Sequence, residues 1–466
     1  VTSVPSTVGI VASGEDVLND AVFWVDAGRS SVSNGALTNL GTGGSALNAV
    51  FGNTTGVDSF DPALLTHTGT NYLHIPAVAS NYATATNNSA YRATSTVSCR
   101  FVVSLANWTP SAVAYLGGLY EGTSGQRSYL CAINSTNGFP MMFLSSDGVS
   151  AATSIFATQA PTVSPGGYLA IRCDWLAAGP TVRFYTKEIS NNAYNDVVND
   201  AGWSQLGSDR TASVPASLHP STASLYCAGY SASANTEMAF RASAFKIDGV
   251  LQFAADFTTG ITSGGQTTFT ESSANAATVT INRATSGRKS VAVTRPILLF
   301  GTDDYLEVAD NNLLDFGASD SFTALVVVRQ WNTPTSFGRY LDKKNGGGVG
   351  VGYSLSPNGA VLQPGMFLGD GVNQVGRASQ APTVGSLNVV SGVVDRTAQT
   401  ATVYTGITAG TSGSTSTLGS MSNAIALHIG VSNTLASAQD FELVAAAVWR
   451  RALNANEIAT IVNRYT

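Results

Sequence analysis

The residues Gln-Ala-Pro-Thr-Val occur at 159–163 and again, letter for letter, at 380–384, and they belong to a series of anchors repeated in one order along the chain. Asn-Tyr-Leu-His-Ile at 71–75 answers Asp-Tyr-Leu-Glu-Val at 304–308, and the run ending in Trp108-Thr-Pro answers the run ending in Trp331-Asn-Thr-Pro. Further on, 224–229 answers 426–430 and 238–245 answers 441–448. Self-similarity at a spacing of roughly 200 to 230 residues means that one structural unit has been written twice. At 466 residues the chain also exceeds the length at which a single core keeps growing, so each copy is long enough to be a domain. The sequence thus divides into an arm over 1–14, a first domain over 15–248 and a second over 249–466, with the joint at the turn signal Ile247-Asp-Gly-Val250.

Only 11% of the residues are charged and 47 are glycine, a composition that suits many short strands joined by turns. Residues 295–300 read as an apolar strand, Gly301-Thr-Asp-Asp304 as a tight reversal and 305–308 as the returning strand of a hairpin. Residues 322–328 are too few for a buried helix and rich in β-branched side chains, so they read as a central strand buried on both faces. One helix closes the chain: Asn454 is its N-cap, Glu457 completes a capping box, and Ile458, Ile461, Val462 and Tyr465 share a face. The first copy lacks such a helix, and its matching edge is expected to lie under the other domain.

A net charge of −6 with scattered Lys and Arg leaves no basic surface for a phosphate backbone, which excludes nucleic acid as a partner. No apolar run approaches the ~20 residues of a spanning helix, so no membrane insertion is expected. The N-terminus lacks the basic and apolar regions of a signal peptide, although an earlier segment could have been removed. Cys99, Cys131, Cys173 and Cys227 all fall in the first copy without metal spacing. A disulfide framework holding a repeated fold would recur in the second copy, so these are expected to be reduced, buried thiols. No strand carries the alternating carboxylates of a glycosidase, the four His share no metal spacing, and no nucleophile elbow occurs. No catalytic residue is assigned.

The stretches 295–308, 321–331 and 441–458 resemble the laminin-G-like branch of the concanavalin A-like jelly rolls. The resemblance implies an all-β protein of two tandem jelly-roll sandwiches with a short C-terminal helix. The run Gly287-Arg-Lys-Ser-Val-Ala-Val-Thr-Arg-Pro296 leading into the Gly-Thr-Asp-Asp turn is also similar to laminin-G-like minor tail proteins of phages infecting actinobacteria. That likeness implies a non-enzymatic virion protein, assembled in the host cytoplasm as a homo-oligomer, touching neighbouring virion subunits or host cell-wall glycan. The alternatives are a secreted bacterial carbohydrate-binding or adhesion protein at the cell surface, and a purely architectural subunit. Sugar binding needs aromatic faces and hydrogen-bonding groups on loops. Trp108 and Trp331, with Tyr120 and Asn345 on the loops that follow them, occupy repeated places, although two repeated rings also suit a capped sandwich. Tyr194 and Trp203 lie in an insertion absent from the second copy. No cofactor is required. Calcium is the ion the family leaves room for, with Asp303, Asp304, Asp342 and Asp370 as its ligands, though the same aspartates serve equally as turn formers.

Overall fold

The computed structural model describes residues 13–52, 54, 56, 58, 61–122, 125–149, 152–230, 236–331, 338–358, 363–436 and 439–466. Most of the expected arm, residues 1–12, lies outside them; its last two residues, Ser13 and Gly14, instead open helix α1 (Gly14–Asn19), where Ser13 and Asp16 form a capping box. The chain is all-β with three α-helices and three short 3-10 helices among the described residues, and it forms two units. An inserted unit holds His67–Arg295; a split unit combines the chain up to Thr66 with Pro296–Thr466.

Each unit is a sandwich of two antiparallel sheets, eight-stranded in the inserted unit and nine-stranded in the split unit. We call the sheet with the closing strand the first sheet. In the inserted unit the first sheet centres on Thr96–Leu105, Tyr168–Leu176 and Met238–Ile247, and the second on Ala114–Tyr120, Arg127–Ile133 and Leu225–Ala228. Alternate side chains meet between them, Cys99, Phe101 and Val103 from one sheet and Tyr129, Cys131 and Ile133 from the other. All four cysteines are buried and free. In the split unit the expected central strand, Phe322–Gln330, is buried along its whole length between Leu387–Asp395 and Phe441–Trp449. The final helix α3 (Ala455–Tyr465) has the expected Asn454 and Glu457 capping box and buries Ile458, Ile461, Val462 and Tyr465.

The units cut across the sequence copies because the copies have exchanged their opening strands. The closing strands Met238–Ile247 and Phe441–Trp449 hold the same place, and each takes a Phe-x-x-Asp strand as its further partner. Phe23–Asp26 lies against Ala445 to Val448, and Phe253 to Asp256 lies against Ala242 to Phe245. Both aspartates turn the chain alike, Asp26 accepting the N–H of Gly28 at 2.9 Å and Asp256 that of Thr258 at 2.8 Å. Likewise Ala49–Phe51 pairs with Leu306–Val308 as Thr278–Asn282 pairs with Tyr82–Ala85. Ala63–Leu65 pairs with Ile297–Phe300 as Val291–Val293 pairs with Tyr72–Ile75. The opening segment of the first copy therefore completes the second copy, and the reverse.

Two local causes are visible. At the expected joint, Asp248 and Gly249 have φ of 51° and 82°, the two-residue turn that matches the twist of antiparallel strands. Met238–Ile247 therefore folds straight back into Val250–Asp256 as a hairpin inside the inserted unit, and the Asp248 carboxylate accepts the N–H groups of Ser95 at 2.7 Å and Thr96 at 2.8 Å. Between Val291–Val293 and Ile297–Phe300 stand only Thr294, Arg295 and Pro296. A three-residue hairpin loop wants a left-handed residue at its end, which proline cannot supply, and proline also holds Arg295 extended. The chain crosses to the other unit instead.

Three expectations are corrected. Ile297–Phe300 and Leu306–Val308 are not a hairpin: the first joins the first sheet and the second joins the second sheet, so Gly301 to Asp304 is a corner between layers, closed by the Gly301 N–H on Asp304 Oδ2 at 2.7 Å. By pairing, Tyr72–Ile75 corresponds to Ile297–Phe300, and the anchor at 71–75 does not answer that at 304–308. The first sheet of the inserted unit is covered by its own helix α2 (Ala193–Val198), whose Ala193 and Val197 pack on Val102, Ala170 and Ala242.

Residues 67–295 expressed alone are expected to unfold in one cooperative urea transition with native near-UV circular dichroism, whereas 15–248 alone gives a broad, non-cooperative transition. The opposite ranking would mean that each sequence copy closes on itself.

Candidate functional site

On each second sheet, one cross-strand row of residues faces away from the core. In the inserted unit it runs Thr84, Tyr226, Gly118, Leu130, Phe143, Ser154. In the split unit it runs Glu307, His428, Asp342, Ser354, Phe367, Gly376. The residues before and after these in each strand, such as Leu225 and Cys227 or Leu341 and Ile429, enter the cores. The same lattice of backbone therefore displays an aromatic face in one unit and a polar one in the other; place by place along the two rows, the phenylalanines Phe143 and Phe367 are the one match.

The aromatic face is a connected tyrosine surface. Tyr226 and Tyr230 are buried, and Tyr82, Tyr115, Tyr120 and Phe143 pack around them half-exposed. Ring centroids lie 5.0 Å apart for Tyr226 and Tyr230, 5.3 Å for Tyr82 and Tyr226, 5.4 Å for Tyr115 and Tyr230, and 6.0 Å for Tyr120 and Tyr230. These are the tilted and edge-on distances that attract. Burial pushes the phenols of Tyr82, Tyr120 and Tyr230 up, so all stay protonated donors at neutral pH.

The polar face of the split unit borders a cleft of about 440 Å3 lined by Arg339, Lys344, Gly346 to Gly348, Phe367 and Gln374. Behind it Asp342, 2% exposed, meets Arg339 at 3.3 Å and accepts the N–H of Asn433 at 3.0 Å. Burial pushes its carboxyl up to about 6 against the pull of Arg339, the Asn433 N–H and Lys344. Burial pulls the Lys344 ammonium down, opposed by Asp342. Next in the row, His428 and Glu307 lie 3.2 Å apart, and burial holds the imidazole below its usual value despite the carboxylate. A carboxyl shifted by burial beside a cleft is a candidate functional group, and a structural ion pair such as that with Arg339 shifts one in the same setting.

The expected binding residues separate. Tyr120 joins the tyrosine surface, and Asn345 is exposed on the loop that walls the cleft. Trp108 is 7% exposed within the core of the inserted unit, and Trp331 is 9% exposed beneath the Arg329 guanidinium at 5.6 Å, so both cap their sandwiches. Tyr194 and Trp203 pack with α2 against the first sheet; Trp203 donates to the Asn199 carbonyl at 3.0 Å and faces Arg100 and Lys187 at 6.0 and 5.9 Å. Among the expected calcium ligands, Asp303 is exposed and Asp304 is spent on its corner, while Asp370 accepts the N–H groups of Val372, Asn373 and Gly419. Those donors outweigh burial and hold its carboxyl well below the usual range. No group of three or more His, Cys, Asp or Glu placed to hold a metal occurs among the described residues. Sequence reasoning missed Tyr82, Tyr115, Tyr226 and Tyr230, and also Arg339, Lys344 and Phe367. The signal was alternation: in Ala114-Tyr-Leu and Leu225-Tyr-Cys the tyrosine takes the outward place.

No protein-family model matches the sequence, and no curated protein matches it. Solved structures similar to it include the binding domain of Paraclostridial Mosquitocidal Protein 1, 14% identical over 44% of this chain and 51% of that one, with a TM-score of 0.32. The mouse laminin α1 chain, domains LG4-5, is 10% identical over 86% of this chain and 95% of that one, with a TM-score of 0.31. The CBM40 of Ruminococcus gnavus IT-sialidase bound to α2,6-sialyllactose is 13% identical over 34% and 96%, with a TM-score of 0.27. The alignment thus spans about half the length of the toxin binding domain. At these scores no ligand or activity follows from the likenesses.

Two outcomes are expected. Trp203→Ala lowers stability by about 1–3 kcal/mol in urea titration, the cost of opening the α2 packing. The Asp342 carboxyl has a folded pKa above its unfolded value, so its contribution is fully present below pH ~4 and lost as pH rises through about 6. Asp342→Asn should therefore match the wild type near pH 4 and exceed it by up to about 3 kcal/mol at pH 8, read from paired denaturation curves.

Proposed function

We propose that this chain is a non-catalytic saccharide-binding protein, acting through the outward faces of its second sheets. The carrying observation is the tyrosine surface, in which Tyr82, Tyr115, Tyr120 and Phe143 stand half-exposed around two buried rings. A sugar presents C–H faces that pack on aromatic rings and hydroxyls that pair with phenols, and rings fixed on adjacent strands lose little entropy in doing so. The expected calcium ligands stand in separate turns and on a sheet face, which favours recognition without a metal.

The setting we propose is the surface or tail of a virion, where weak contacts to host cell-wall glycan sum over a homo-oligomer and its neighbouring subunits. The sequence resemblance to minor tail proteins carries that setting. Free, buried Cys99, Cys131, Cys173 and Cys227 favour assembly in a reducing cytoplasm over a secreted role.

The test is a glycan-array and cell-wall binding assay on the intact protein beside Tyr115→Ala and Tyr120→Ala. Both variants should keep the wild-type melting temperature within a few degrees and bind at least ~10-fold more weakly, and chelator should change nothing. Unchanged binding in both variants would remove the tyrosine surface as the site.

A further inference from the structure

Beside α2, the outward face of the inserted unit's first sheet forms a cleft of about 260 Å3 whose lining includes Arg100, Arg172, Arg183 and Lys246. In a chain with 23 Lys and Arg among 466 residues, four in one cleft need a reason. The register sets them in two cross-strand rows, Tyr185, Arg172, Arg100, Ala244 and Arg183, Asp174, Ser98, Lys246. Arg172 and Arg100 stand directly opposite each other, an arrangement that costs stability for like charges. The same rows in the split unit read Tyr404, Ser391, Leu325, Ala447 and Thr402, Val393, Thr323, Trp449. Tyrosine and alanine recur at the ends of one row, and no charge recurs. A sandwich of this pattern therefore closes without the cations.

The hydrogen bonds show which of them are spent. Arg100, 1% exposed, donates to Ser98 Oγ at 2.9 Å, to the carbonyls of Val197 and Asn199 at 3.1 and 3.2 Å and to Asp200 at 2.5 Å, so it anchors the end of α2. Arg183 is held by Asp209 at 2.8 Å. Arg172 places Nε and Nη2 on the two oxygens of Asp174, at 2.9 and 2.6 Å, and lies 4.8 Å from the Tyr185 ring centroid. That fixes the guanidinium and leaves both Nη1 N–H groups without an acceptor among the described residues. Lys246 uses one N–H on Asp200 at 2.7 Å and keeps two. The Ser98 hydroxyl accepts from Arg100 and keeps its own proton. Three neighbouring strands thus each hold one unspent donor group at the cleft, and two of these groups are cationic. The charge is also uneven: Arg100 and Lys246 share Asp200, so the four cations face three carboxylates, Asp174, Asp200 and Asp209.

We infer that this cleft binds one tetrahedral oxyanion, a phosphate or sulfate group, through Arg172, Lys246 and Ser98. Such a group presents oxygens in several directions, where a carboxylate presents two in one plane, and charge-assisted bonds to it are short and strong. The volume is just under that of pockets that enclose drug-sized ligands, which suits a single group, free or carried on a larger molecule. The surrounding carboxylates stop a run of phosphates from continuing past it, so the cleft takes one anion and is no track for a nucleic-acid backbone. It lies on the other sheet from the tyrosine surface and does not depend on it.

The test is calorimetric titration of the intact protein at ~0.15 M NaCl, where diffuse surface attraction is screened, with sodium phosphate, sodium sulfate, glycerol 3-phosphate and sodium acetate. At least one of the first three should bind saturably, and acetate ~10-fold or more weakly than it. An ester tighter than inorganic phosphate would assign a group carried on a larger molecule, and equal affinity a free anion; both support the site. Lys246→Met should weaken the anion ~10-fold. Arg172→Gln combined with Asp174→Asn removes that ion pair whole, leaves the net charge unchanged, and should weaken it about as much. Both variants should keep the wild-type near-UV circular dichroism. Absence of saturable binding by all three anions, acetate binding as tightly, or unchanged affinity in both variants would each overturn the proposal.

Discussion

A sheet edge is a row of unpaired N–H and C=O groups, and leaving one open invites association with any other strand. The closing strands Met238–Ile247 and Phe441–Trp449 each end with such an edge in need of a partner, and in each unit a Phe-x-x-Asp strand supplies it. The requirement is for a strand of the right pattern; nothing in the ladder records which copy donates it. Because the copies descend from one unit, an opening strand from either satisfies both edges, and the exchange conserves every class of contact. What decides between the two closures is the connections, and the short Thr294-Arg295-Pro296 segment favours crossing over reversal.

The repeat, the all-β class, the central strand and the capped final helix were legible because each rests on local periodicity or on side chains a few residues apart. Phe322–Gln330 is buried as its β-branched run requires, and the Asn454 cap is met as its spacing requires. The exchange was not legible in the same way, since the Asp248-Gly249 turn specifies a reversal without saying whether it joins two domains or two strands of one. Pro296 was the overlooked clue. The same limit produced the error at Gly301 to Asp304, where a turn signal marks a corner between sheets as well as it marks a hairpin.

The candidate sites divide on similar lines. Large aromatics in single conspicuous places, Trp108, Trp331 and Trp203, are consumed by packing, because a ring of that size is most useful where it closes a core. The exposed surfaces are made of residues that look ordinary one at a time: Tyr115, Tyr120 and Tyr82 matter because neighbouring strands bring them within about one ring diameter of Tyr226 and Tyr230. The cleft of the split unit is less legible still. It needs Arg339 from one segment, Lys344 two places beyond a buried Asp342, and a phenylalanine from another strand, and no spacing in the sequence announces that combination.

The exchanged strands also set the order of events on the ribosome. The inserted unit has all its strands once residue 295 is outside the exit tunnel, so it can fold while synthesis continues. Phe23, Trp24 and Val25 have no such opportunity: their partner is Ala446 to Val448, made long after them. At ordinary elongation rates that separation leaves the apolar strand waiting roughly 20 to 80 s with an open edge. On a polysome several nascent chains would carry that waiting strand at once, each a match for the closing strand of its neighbour. The timing of translation thus becomes part of what keeps one chain's opening segment for its own use.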